Sequence, residues 1–189
     1  LSPEQVEADV GNWWRQLYKL GKSLVGLSGP LKVVAHVKEK LDDFKSHLPL
    51  ITAMLNPGMR ERHWKMLTEQ VGHSVQPNEM STLLSLVEQQ VGDHLGAIQE
   101  MSETASKEYS LEKALDKMLS EWKPMAFECA PYRDSGTHIL RALDEIQNLF
   151  DDHIVKTQAM RGSPFVKPLE SRVRDWEAKL ISMQEIIDE

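Results

Sequence analysis

Apolar side chains recur every three or four residues along most of this chain, in runs cut short by glycine and proline. Val6, Val10, Trp13, Leu17 and Leu20 step four, three, four, three. Leu31, Val34, Val37, Leu41, Phe44 and Leu48 make a second ladder, and Met80, Leu83, Leu84, Val87, Val91, Leu95, Ile98 and Met101 the longest. Tyr109, Leu111, Leu115, Met118 and Trp122 follow. Ile139, Leu143, Ile146, Phe150 and Ile154 lead into the Gly162-Ser163-Pro164 break, and Leu169, Val173, Trp176, Leu180, Met183 and Ile187 lead out of it. A period of 3.6 gathers such positions on one helical face, which must be covered by another element. The expected fold is therefore mainly α, an elongated array of short antiparallel helical bundles packed along coiled-coil-like seams.

The breaks place the element ends. Ser2-Pro3-x-Gln5 reads as a capping box with Pro at the first helical position, and Gly21 as the end of that helix. Pro30 opens the next helix, Pro49 a short segment over Leu50–Leu55, and Asn56-Pro57-Gly58 is a strong breaker. Gly72 closes a helix carrying Met59, His63, Met66 and Leu67, and Ser163-Pro164 signals a helix start. Between Met125 and Leu140 the helical period is lost, and Asp134-Ser135-Gly136 is a turn signal. A small β-hairpin or extended excursion near 125–140 is expected there, with a plain loop the open alternative. Two segments are drawn at the Asn-Pro-Gly break, 1–56 and 57–189.

Composition excludes several partner classes. Lys and Arg total 22 against 29 Asp and Glu, a net charge of −7, so neither nucleic acid nor an anionic membrane is the expected main partner. The single cysteine, Cys129, has no partner for an internal disulfide, and a buried, inert thiol is expected. No apolar run approaches the ~20 residues of a membrane span. A reducing, cytosol-type compartment follows. The chain opens on Leu1 and stops within a ladder at Glu189, as a piece of a longer protein would.

Nothing in the chain points to catalysis. The Gly21-Lys22-Ser23 turn lacks the earlier glycine of a phosphate loop, where Gln16 stands, and no strand precedes it. Asp151, Asp152 and His153 are successive helical residues pointing about 100° apart, so they do not converge on one ion. His63, beside Trp64, is expected to be a hydrogen-bonded structural histidine rather than a base. Asp42 and Asp43 likewise point apart. Catalytic, cofactor-binding and metal-binding residues are all expected to be absent.

The order of phrases is more specific than the ladders. Leu48-Pro49-Leu50-Ile51 with Asn56-Pro57, Met59–Trp64, Lys107–Glu112, Trp122 with Phe127, Pro131–Leu140 and Leu149–Pro168 resemble, in sequence, the linker of dynein heavy chains. That linker follows the tail and precedes the AAA+ motor ring. The DDHIVKTQAMRGSPFVKP wording of Asp151–Pro168 looks more like axonemal than cytoplasmic heavy chains. The resemblance implies a non-catalytic mechanical role: a stiff helical arm, here its tail-proximal half, that couples ATP-driven changes in the ring to movement along microtubules. Residues 1–56 would then hold the end of the tail and the start of the linker. It implies the AAA+ ring of the same chain and the tail with its associated chains as partners, microtubules indirectly, and a cytoskeletal, ciliary or flagellar location. ATP and Mg belong to the ring, and no cofactor is implied for this segment. The breaks at Gly21–Pro30, Asn56–Gly58, Gly72–Asn78 and Gly162–Pro168 are the expected flexible points, and at least one of them is expected to mark where the arm bends. A helical scaffold that docks partner helices is the rival reading, although the chain shows no internal repeat.

Overall fold

A computed structural model describes residues 2–78 and 80–188. The chain is mainly helical with one two-stranded antiparallel hairpin, and it divides into two compact units, Leu1–Ser106 and Lys107–Glu189. The boundary expected after residue 56 lies inside the first unit.

In the first unit, α1 (Pro3–Ser23) and α2 (Ser28–Ser46) form a hairpin. They run antiparallel, since Trp14 meets Asp42 near one end and a Cβ on Gly21 would meet Val34 at 3.7 Å near the other. Gly21 therefore does not end the helix but packs inside it against α2. The expected capping box is also absent: Ser2 Oγ donates to the Glu4 carboxylate and makes no cap bond to the backbone.

The short α3 (Leu48–Met54) and α4 (Glu61–Val71) follow, and α4 ends at Gly72, whose φ of +89° only glycine adopts without cost. Leu50, Ala53, Met54, Trp64, Leu67, Val75, Val91 and Ile98 make this unit's core. That core draws on both sides of the Asn-Pro-Gly break, which is why no unit boundary forms there.

The longest ladder does not make one helix. It is split into α5 (Leu83–Glu88), a turn at Gln90 with φ of +56°, and a 3-10 turn over Val91–His94, before α6 (Leu95–Trp122) begins. The split leaves Met80, Leu84 and Val87 exposed, whereas Val91 and Ile98 are fully buried. α6 then absorbs the ladder from Tyr109 to Trp122, and the limit between the units falls within it.

In the second unit the 107–122 part of α6 packs with α7 (Asp144–Arg161) and α8 (Glu170–Asp188). Leu115, Met118, Phe150, Val173, Trp176 and Leu180 are its buried centre. Each such side chain contributes about 1.5–3 kcal/mol by leaving water. α6 and α8 run alongside one another in the same direction, because Lys107 lies over Phe165, Asp116 bonds Arg172 and Trp122 meets Trp176.

Two expected boundaries shift here. Ile139 belongs to a strand rather than to the helix that follows, and α8 starts after the 3-10 turn Lys167–Leu169 rather than at Ser163-Pro164. The hairpin pairs β1 (Glu128–Pro131) with β2 (His138–Arg141), with Cys129 opposite Leu140. Cys129 is exposed, against expectation, because a two-stranded ribbon has no second layer to bury it.

Candidate functional site

The buried polar groups of this chain lie where helices meet or where the chain turns. His153 sits on the inner face of α7, three residues after Phe150, and is fully buried. Its Nδ1 accepts the indole N–H of Trp122 at 2.8 Å, and its Nε2 lies 2.9 Å from Glu121 Oε2. Indole nitrogen only donates, so Nδ1 carries no proton and the Nε2–H faces the carboxylate. Both ring nitrogens are thus spent on fixing the end of α6 to α7.

The rings of Trp122, Phe150, His153 and Trp176 pack around this point, with centroid separations from 4.5 Å for Trp122–Phe150 to 6.5 Å for Trp122–Trp176. The buried Trp176 Nε1 has no hydrogen-bond partner among the described residues. Nearby, Arg172 on α8 reaches Asp116 at 2.7 Å and Glu112 at 3.6 Å on α6, and Arg161 reaches Glu177 at 2.8 Å.

The first unit has two comparable fastenings. Asn56 Nδ2 lies 2.7 Å from the Ser102 carbonyl, the Ser102 hydroxyl and the Ser106 hydroxyl, while its Oδ1 accepts from Gly58 N–H at 2.8 Å. The Asn-Pro-Gly break is thereby tied to α6. His63 is fully buried, and its Nδ1 accepts the Arg60 backbone N–H at 3.0 Å, so it closes the start of α4 as a Glu does in a capping box. That is the structural role its sequence position suggested.

Asp151, Asp152 and His153 do not gather. Asp152 pairs with Lys156 at 2.5 Å on the solvent side, which holds its carboxyl below the usual range and raises the lysine. His153 points the other way, into the core. The Glu121–His153–Trp122 contact was not anticipated, though a histidine on the ladder of Phe150 carried the signal: its two ring nitrogens must find partners once buried. Among the described residues no three His, Cys, Asp or Glu side chains are grouped to hold a metal ion. No helix among them is long and apolar enough to cross a membrane.

On one side of the α1–α2 hairpin, Trp13, Leu17, Leu20, Val37, Leu41 and Phe44 line an open apolar groove. Trp13 is 53% exposed there, so of the two adjacent tryptophans it is Trp14, off the expected ladder, that bonds across the hairpin.

The arrangement fastens helices to one another and to their connections. Residues 1–189 match the family described as "Dynein heavy chain, N-terminal region 2". The chain is 44% identical to human dynein axonemal heavy chain 3 over 188 residues, covering all of this chain and 5% of that protein. It is 38% identical to mouse dynein axonemal heavy chain 1 over 189 residues, which is 4% of that protein's length. With human dynein axonemal heavy chain 12 the identity is 39% over 197 residues, 6% of that protein.

Proposed function

The chain belongs to the dynein heavy chain family, and from that membership we propose that it is a non-catalytic mechanical segment of the motor's linker. As a stiff helical arm it couples ATP-driven changes in the AAA+ ring to movement along microtubules. Residues 1–56 close the tail and open the arm, and residues 57–189 form the arm proper. ATP and Mg act in the ring, and this segment receives their effect as force. The axonemal names of its relatives support a place in the axoneme of a cilium or flagellum, with the ring, the tail and its associated chains as partners.

The observation that carries the mechanical reading is the fastening of α6 in both units. Asn56 ties the nearby break to Ser102 and Ser106, and His153 ties α7 to Trp122 and Glu121. A segment that transmits load gains from such ties, because a helix fastened to its neighbours cannot shift against them when it is pulled. In the full heavy chain, inserting four glycines between Ser106 and Lys107 is expected to slow microtubule gliding severalfold and leave ATP hydrolysis near its normal rate. Unchanged gliding would refute a load-bearing role, and loss of hydrolysis as well would point to a structural part in the ring instead.

A further inference from the structure

The α1–α2 hairpin carries a second face, opposite in character to its apolar groove. Trp14 and Tyr18, one helical turn apart on α1, stack with their planes 6° apart and centroids separated by 5.7 Å. Three ammonium groups converge on this pair. Lys38 Nζ lies 4.9 Å and Lys45 Nζ 5.4 Å from the Trp14 ring, and Lys22 Nζ lies 4.6 Å from the Tyr18 ring. Among the described residues none of the three has an ion-pair partner. The carboxylate within this cluster, Asp42, accepts the Trp14 indole N–H at 3.0 Å.

Ring faces attract these cations but carry no net charge, so the gathering of three ammonium groups is offset only in part, by the Asp42 carboxylate. It is also out of keeping with a chain whose net charge is −7. We propose that this lysine-flanked Trp14–Tyr18 face is a docking surface for a short acidic peptide segment. Glu or Asp side chains would pair with Lys22, Lys38 and Lys45, whose ammonium groups the two rings gather into one place. A peptide suits the face better than a nucleic acid. The basic area is only a few residues wide, Asp42 interrupts it, and the negative charge of the rest of the chain repels an extended polyphosphate.

The test is fluorescence anisotropy of a labelled hexaglutamate peptide titrated with the chain at low and at moderate salt. Saturable binding that weakens with added salt is expected. The triple substitution Lys22→Glu, Lys38→Glu, Lys45→Glu should weaken it by about tenfold or more, since it turns attraction into repulsion at three contacts. A control triple, Lys19→Glu, Lys32→Glu, Lys40→Glu, makes the same change in net charge on the same hairpin away from the rings. It should retain most of the affinity, with circular dichroism confirming that both variants keep their helices. Equal losses in the two triples would reduce the effect to net charge and overturn the proposal. So would the absence of saturable binding, or tighter binding of a single-stranded oligonucleotide than of the peptide.

Discussion

At the scale of single residues, the consequential side chains are polar ones that bond across from one element to another. His153 fills a fully buried position and satisfies a tryptophan and a glutamate at once. Replacing it with alanine removes the ring and strands the Trp122 N–H, so His153→Ala should lower stability by about 3 kcal/mol in urea melts. Asn56→Ala loses the bonds to Ser102 and Ser106 and the turn bond to Gly58, in a less buried setting. A loss of about 1–2 kcal/mol is expected by the same measurement. The surface pair Asp152–Lys156 is a contrasting case. Its hydrogen bond lowers the Asp152 carboxyl, so any stabilisation it gives is present above the ordinary aspartate range and lost as pH falls through the lowered value. Both groups are solvated, so Asp152→Asn should leave the thermal midpoint at neutral pH within the error of a melt.

At the scale of elements, ladders and breakers were readable but their joints were not. Val173, Trp176 and Leu180 stand buried on α8, and Leu169 in the 3-10 turn before it, as their spacing demanded. Gly72 also ends its helix, as the breaker reading had it. The longest ladder misled because apolar spacing does not reveal one residue in a left-handed conformation. Gln90 takes that conformation, and the face turns away from the core before it. Ser2 offered a capping signature, but a capping side chain can bond elsewhere, and it chose Glu4. The buried histidine's partners were invisible for a different reason: Trp122 and Glu121 are more than thirty positions away, and spacing rules speak only of neighbours. A similar strained joint lies at Ala142, with φ of +55° between β2 and α7. Ala142→Gly relieves that strain and should raise stability by about 0.5 kcal/mol despite glycine's larger entropy loss.

At the scale of the whole chain, each unit has a core of its own. The second is built from α7, α8 and the later part of α6, with Leu115, Phe150 and Leu180 fully buried. A fragment spanning residues 107–189 should therefore fold alone. Its near-ultraviolet circular dichroism should keep the sharp tryptophan bands that Trp122 and Trp176 give in a fixed environment, and a featureless spectrum would show that this core needs the first unit. The exposed β-ribbon adds a practical consequence. The chain's one thiol sits on it, open to solvent. A maleimide dye will attach at one defined place without any mutagenesis, so the motion of this ribbon can be followed by light in an otherwise unaltered protein.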